Sequence, residues 1–263
     1  MLPVVIFLAA ALPSLVLLAI FLRFDRFPEP RGVVLRTFFL GMAVILPVVV
    51  VSLPLMGIAT KMGSAWMAAG FQAFVLAGMI EESAKFWVLY GYCMKNAAFD
   101  EPMDGLVYGM TASLGFACLE NIAFVESAGD QWMMLAAVRA FLAVPAHGMN
   151  GAIMGYYAAR ARFNAADRTD SYRKALLVPI ALHGLYDFTP LLVQSSTEGM
   201  SDAALDASSA LIAACSFSIV AFEVLWVLRL FRQHRAVQDL PPPCPQPPAP
   251  VPEGPETERD PLV

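Results

Sequence analysis

The chain has 263 residues, of which 58% are hydrophobic and only 15% are charged, and its formal net charge is −5. Its apolar stretches are longer than the strands and helices of soluble proteins need, which excludes an ordinary soluble domain and indicates a multispanning membrane protein. Apart from Lys85 and Arg139, the basic residues flank these stretches and form no patch, so no nucleic-acid partner is expected.

Windows of about 20 apolar residues predict an all-α, polytopic bundle with seven membrane spans. The spans lie near residues 2–22, 33–57, 65–93, 104–125, 131–159, 173–194 and 205–229. Arginines gather after the first, fifth and seventh spans, and cytoplasmic flanks retain such residues. We therefore expect an external N-terminus and a cytoplasmic C-terminus. The expected division is a transmembrane domain over 1–235 and a disordered, proline-rich cytoplasmic tail over 236–263.

The third span carries two adjacent glutamates, Glu81 and Glu82, near its middle. A carboxylate in hydrocarbon is costly and is tolerated mainly where it faces a polar cavity, a partner charge or a metal. Lys85 lies one helical turn after Glu81 and is expected to neutralise it. An ion pair that only permits insertion is the alternative interpretation, but it leaves Glu82 unexplained.

The fourth span carries small residues at four-residue intervals: Gly105, Gly109, Ser113 and Ala117. Small residues on one face let helix backbones approach closely in lipid. We therefore predict that this stripe is a structural contact with a neighbouring helix.

Glu120 and Asn121 follow near the outer end of the fourth span and need partners at that depth. Arg139 on the fifth span lies at a comparable distance from the outside. An ion pair between Arg139 and Glu120 is therefore predicted.

Two further spans supply imidazoles at the depth of Glu81. His147 lies in VPAHGMNG, where Pro145 loosens the helix, and His183 lies in LHGLYDF. Asp187 is four residues after His183, so its carboxylate can orient that imidazole. For His147, a lone histidine that only hydrogen-bonds across helices is the alternative, but three helices bring acid and imidazole groups to one depth.

Such a set suits hydrolysis of a peptide bond. A buried glutamate can take a proton from water, and neutral imidazoles can ligate a metal or donate to a developing oxyanion. No serine or cysteine pairs obviously with the histidines and no H-E-x-x-H signature is present, so water is the expected nucleophile. A non-catalytic membrane scaffold and a proton-coupled transporter remain the alternatives.

The chain resembles the PrsW-type intramembrane proteases of the CAAX prenyl protease-like superfamily. The resemblance rests on FDRFPEPRGVVLRTFFLG, EESAKF, DGLVYGMTASLGFACLENI, the segment from Arg139 to His147, and LHGLYDF. It implies that Glu81 and Glu82 are the catalytic glutamate pair and that His147 and His183 are the two family histidines. Lys85 and Ala143 stand where the CAAX branch has arginine and phenylalanine, so prenylated substrates are not expected.

The resemblance leaves the role of metal open. In one version Glu82, His147 and His183 hold a zinc ion whose bound water attacks, with Glu81 as base. In the other, Glu81 activates water directly, Glu82 supports it and the histidines stabilise the tetrahedral intermediate. The metal-independent version is slightly preferred, because no ligand spacing demands zinc. The resemblance further implies a membrane-anchored protein or peptide substrate, such as an anti-sigma factor, and a place in the bacterial inner membrane.

Overall fold

The computed structural model describes residues 2–194 and 202–239, and the regular structure within these ranges is helical. The helices follow one another as α1 Leu2–Phe21, α2 Arg31–Ala43, α3 Ile45–Ala59, α4 Ala65–Gly70, a π-helix Phe71–Glu81, α5 Glu82–Gly91, α6 Pro102–Ser127, α7 Trp132–Phe141, α8 Ala143–Phe163, α9 Arg168–Gln194 and α10 Asp202–Gln238.

Six helical runs among the described residues are long and apolar enough to cross a membrane. They are Leu2–Phe24, Arg31–Ala59, Pro102–Ser127, Gly129–Phe163, Arg168–Gln194 and Asp206–Gln238. The run from Ala65 to Gly91, formed by α4, the π-helix and α5, corresponds to the remaining predicted span. The predicted polytopic helix bundle with about seven spans is therefore confirmed, whereas the orientation of its termini stays a prediction.

The division into a membrane domain and a tail also stays a prediction. The last helix continues to Gln238, three residues beyond the predicted boundary, and residues 240–263 of the predicted tail lie outside the described residues.

Prolines divide two of the predicted spans. The ring of a proline clashes with the carbonyl four residues earlier. For Pro47 that residue is Ala43, where α2 ends, and for Pro145 it is Phe141, where α7 ends. The second break confirms that Pro145 loosens the helix, and it places His147 in the second turn of α8.

Helix α6 is the centre of the bundle, with 83% of its most apolar window buried. It contacts α8 closely through glycines: a Cβ added to Gly155 would lie 1.7 Å from the carbonyl oxygen of Gly105, and one added to Gly109 would lie 2.2 Å from that of Gly151. No larger residue fits between these backbones. The predicted small-residue contact is thus confirmed, and it sets the separation of the helices that carry Glu120 and His147.

The π-helix Phe71–Glu81 is the feature of the fold that the sequence did not predict. Such turns are rare, usually occur as single-turn bulges, and are frequent at functional sites. Here the π-helix extends over 11 residues and ends at Glu81, and α-helical geometry resumes at Glu82. The change of helix type therefore falls between the two adjacent glutamates.

Candidate active site

A polar pocket of about 240 Å³ opens among the helices that carry the predicted site residues. Its charged and imidazole lining comprises Glu81, Glu120, Arg139, His147, His183 and Asp187. The remaining lining is largely apolar and includes Met56, Leu76 and Phe124. Four different helical runs thus bring their predicted polar residues to one cavity.

Glu82 lies behind this pocket and does not line it. Its side chain is fully buried, and its Oε1 accepts hydrogen bonds from Lys85 Nζ and from His183 Nδ1, both at 2.7 Å. The Oε2 atom of Glu82 has no partner among the described residues. Glu82 therefore fixes the orientation of His183 and directs its other ring nitrogen, Nε2, towards the pocket.

Lys85 bridges the two glutamates. Its Nζ lies 2.7 Å from Glu82 and 3.4 Å from Glu81, and it also lies over the ring of Phe116. The prediction that Lys85 neutralises Glu81 thus describes the longer of its two ionic contacts. A third contact, at 2.9 Å, joins Lys85 Nζ to Nδ1 of His147.

His147 is held on its other side by the predicted ion pair. Arg139 Nη2 lies 2.5 Å from Glu120 Oε2, and the same carboxylate oxygen lies 3.0 Å from His147 Nε2. Arg139 Nε also donates to Asn121 Oδ1 at 2.7 Å. Because a carboxylate can only accept, His147 donates through Nε2 and its Nδ1 carries the free electron pair.

His183 Nε2 lies between two more carboxylates, 3.3 Å from Asp187 and 3.9 Å from Glu81. With Glu82 on Nδ1, one imidazole therefore contacts three acids. The predicted pairing of Asp187 with His183 is present. This crowding of acceptors around Nε2 favours a cation there, as either a proton or a metal ion.

The net charge of the site also favours binding of a cation. Four carboxylates, those of Glu81, Glu82, Glu120 and Asp187, meet two permanent cations, Lys85 and Arg139. With both imidazoles neutral, two negative charges remain. Buried charge is stable only when it is paired or coordinated, so the site suits a divalent cation or two additional protons.

The ligand geometry also fits a metal ion, but with a different set from the one expected. One ligand atom each from Glu81, His147 and His183 can lie within 4.8 Å of one another, whereas Glu82 is not in this group. Carboxylate and imidazole groups are usual zinc ligands, and a carboxylate on the second nitrogen of a ligand histidine is the usual support. The geometry thus offers Glu81 in the place expected for Glu82, with Glu82 as support.

Two polar residues near the site were not identified from the sequence. Asn150 lines the pocket one turn after His147, and its Oδ1 is buried without a partner among the described residues. Glu223 on α10 is fully buried, and neither of its carboxylate oxygens has such a partner. An acid within the last apolar run was the signal that could have identified Glu223.

An all-helical membrane bundle that holds acid and imidazole groups around an internal pocket has the form of an intramembrane hydrolase. A model of the family described as "PrsW family intramembrane metalloprotease" matches residues 29–225, well over half of the chain. The chain therefore belongs to the PrsW family of intramembrane proteases.

Curated relatives agree with this assignment. "Protease PrsW" of Bacillus subtilis (strain 168) is 40% identical over 182 residues, covering 68% of this chain and 80% of that protein. "Protease PrsW" of Halalkalibacterium halodurans is 35% identical over 191 residues, covering 70% and 82%, and that of Oceanobacillus iheyensis is 29% identical over 228 residues, covering 87% and 94%. No solved structure significantly matches the chain. The chain is an integral membrane protease with bacterial relatives, and a membrane protein or peptide is its class of substrate.

Proposed function

We propose that the protease hydrolyses a peptide bond of a membrane-anchored protein or peptide with a water molecule activated at Glu81, between the imidazoles of His147 and His183. The observation that carries this proposal is the convergence of these three side chains within 4.8 Å at a polar pocket inside an apolar bundle. Acid, imidazole and space for a substrate backbone occur together at this place.

The two glutamates have different tasks in this proposal. Glu81 lines the pocket and keeps 13% of its side chain accessible, so it can contact water and substrate. Glu82 is fully enclosed and contacts Lys85 and His183, so it acts as a positioning residue. Glu81 takes the proton of the attacking water and passes it to the leaving amine, as a general base that becomes a general acid.

If a divalent metal ion takes part, Glu81, His147 and His183 are the residues that would hold it, and Glu81 would then be a ligand instead of the base. Such an ion supplies a Lewis acid for the scissile carbonyl and lowers the pKa of bound water towards 7. Glu82 fixes His183 with Nε2 towards the pocket, and Glu120 fixes His147 with Nδ1 as the electron-pair donor. Metal binding at His147 Nδ1 would require the 2.9 Å hydrogen bond from Lys85 Nζ to break.

The substrate has to leave helical geometry before cleavage, because helical carbonyls are hydrogen-bonded and crowded. In a membrane the released backbone groups need new partners. The pocket contains two amide side chains that could serve as partners: Gln72 on the π-helix, and Asn150, whose Oδ1 has no partner in the part of the chain that the structure describes. A membrane-anchored regulator such as an anti-sigma factor fits this class of substrate.

The proposal can be tested in cells that express the wild type or a variant at matched levels, with new protein N-termini identified by mass spectrometry. Glu81→Gln and His147→Ala are the test variants. Glu126→Gln, at an exposed glutamate of α6, and His234→Ala, at the third histidine of the chain, are matched controls. New termini of membrane proteins are expected in the wild type and both controls only. Identical termini in folded Glu81→Gln would overturn the role of Glu81.

The role of metal requires purified protein and a substrate found in this way. If a metal ion is required, chelator treatment abolishes cleavage and added Zn²⁺ restores it. Full cleavage by chelated protein with no bound metal, measured by elemental analysis, would assign the activation of water to Glu81 alone.

A further inference from the structure

A second group of acids lies at the other end of α6. Asp25 follows α1, Glu29 precedes α2, and Glu101 and Asp104 lie at the start of α6. Asp25, Glu101 and Asp104 each contribute one carboxylate oxygen, and these three oxygens lie within 4.8 Å of one another. Asp104 and Glu120 are separated by 16 residues of one helix, or about 24 Å. The group is therefore distinct from the candidate active site.

Part of this group has a structural role. Glu101 and Asp104 form a capping box that begins α6, and Asp104 Oδ2 accepts hydrogen bonds from the backbone N–H groups of Asp100 and Glu101, both at 2.7 Å. Gln238 at the end of α10 donates to Asp25 Oδ1 at 2.8 Å and to Glu101 Oε1 at 2.5 Å. The group thus joins three separate segments of the chain.

Capping does not account for all of the oxygens. Asp104 is fully buried and Asp25 is 6% exposed, yet Asp104 Oδ1 and Asp25 Oδ2 have no hydrogen-bond partner among the described residues. Buried carboxylate oxygens without donors are costly. Two such oxygens in one group indicate that a ligand is needed to complete it.

Charge balance indicates the sign of that ligand. Within the described ranges no lysine or arginine forms an ion pair with Asp25, Glu29, Glu101 or Asp104. The neighbouring arginines are engaged elsewhere, because Arg26 pairs with Asp239 and Arg235 donates to the carbonyl of Phe24. Within the described residues the group therefore has no compensating basic side chain.

We propose that Asp25, Glu101 and Asp104, with Glu29 beside them, bind a hard divalent cation, Mg²⁺ or Ca²⁺, that joins the α1–α2 connection, the start of α6 and the end of α10. Carboxylate oxygens are the ligands that these two ions prefer, and the group formed by the described residues contains no sulfur or imidazole ligand that would favour zinc. Tyr108, whose hydroxyl donates to Glu29, orients the fourth carboxylate. The bound ion stabilises the folded bundle and takes no part in peptide hydrolysis.

A shared proton between Glu29 and Asp104 is the competing explanation, since these carboxyl groups lie within hydrogen-bonding reach of each other. The proton and the metal cation lead to different expected results. If the group is satisfied by a proton, Mg²⁺ and Ca²⁺ leave the stability of the protein unchanged at constant ionic strength.

The test uses full-length protein in lipid nanodiscs, stripped with EDTA and titrated with MgCl₂ or CaCl₂ at constant ionic strength. A saturable rise in the unfolding temperature is expected with at least one ion, because a ligand that binds only the folded state stabilises it. Asp25→Asn and Glu101→Gln should each weaken the apparent affinity by ~10-fold or more, the scale of losing a metal-site partner. Asp130→Asn, at an exposed aspartate near the other end of α6, is the matched control and should respond like the wild type.

Two further measurements complete the test. Tb³⁺ substitutes for Ca²⁺, and bound Tb³⁺ is detected by luminescence excited through aromatic residues. Ca²⁺ should displace Tb³⁺ from the wild type and so remove this luminescence. Asp25→Asn should show no such luminescence. The response should persist in Glu81→Gln, which separates this site from the candidate active site. No saturable rise with either ion, or an unchanged response in both Asp25→Asn and Glu101→Gln, would overturn the proposal.

Discussion

His183 donates through Nδ1 to Oε1 of Glu82 at 2.7 Å, although the two residues are 101 positions apart. This bond joins the start of α5 to α9. It turns the second of two adjacent acids away from the pocket and leaves Glu81 at the pocket. Two chemically identical neighbours thereby occupy unlike environments.

This difference can be tested by exchanging one glutamate at a time. Glu81→Gln should abolish cleavage with little change in stability, because Glu81 is partly accessible and makes the longer contact with Lys85. Glu82→Ala should also abolish cleavage, but in addition it should destabilise the fold by roughly 3–5 kcal/mol, because the buried Lys85 loses its closest acidic partner. Cleavage assays and thermal unfolding separate the two outcomes. Equal stability losses would contradict the division of roles.

The Arg139–Glu120 ion pair can be tested by reversing the charge of one residue and then of both. Arg139→Glu alone should prevent stable folding, because it places a second acid beside a nearly buried carboxylate. Combining it with Glu120→Arg should restore folding by reversing the pair. Activity should not return, since His147 Nε2 would then face a cation in place of the carboxylate that accepts its proton. An active double variant would show that Glu120 does not orient His147.

The α6–α8 contact predicts a difference between two glycine-to-alanine substitutions. Gly155→Ala should destabilise the protein by roughly 1 to several kcal/mol, because the new Cβ would collide with the backbone of Gly105. Gly57→Ala in α3 is the control: nothing lies within 4 Å of its added Cβ, so the change should be neutral or stabilising by up to ~1 kcal/mol. Thermal unfolding of both variants at one lipid composition gives the comparison.

Glu223 predicts a stabilising substitution. Neither carboxylate oxygen has a partner among the described residues, so Glu223→Gln removes a potential buried charge and should raise stability by about 1–3 kcal/mol. Glu126→Gln, at an exposed position, should change stability by less than about 0.5 kcal/mol. A loss of cleavage in a well-folded Glu223→Gln protein would instead show that Glu223 supports the candidate active site.

The helix bundle and the main residues of the candidate site could be predicted from the sequence for a physical reason. Charged and imidazole groups are so costly within apolar spans that Glu81, His147 and His183 stand out, and the pairing of Arg139 with Glu120 follows from depth alone. The position of Glu82 did not follow. It depends on a π-helix, and hydrophobic periodicity carries no signal for a change of helix type inside an entirely apolar run.

Asn150 and the second acid group illustrate another limit. Asn150 is one polar residue in a small, mixed segment, and its place at the pocket depends on how closely α8 approaches α6. Asp25, Glu101 and Asp104 lie in connecting segments or at a helix start, where acids are common, and only their convergence in space distinguishes them. Such long-range proximity cannot be read from the local pattern of one chain.

Helix α6 has a further consequence for how the protein is made. It is the least apolar of the six spans, and it buries Thr111, Ser113 and Asn121, whereas α1 is the most apolar. The chain is synthesised from its N-terminus, so α1 is already in the bilayer when α6 arrives, and the carbonyl of Ala10 is then available to accept the hydrogen bond from Asn121. We therefore expect α1 to help retain α6 in the membrane, since lipid alone would hold this less apolar helix weakly.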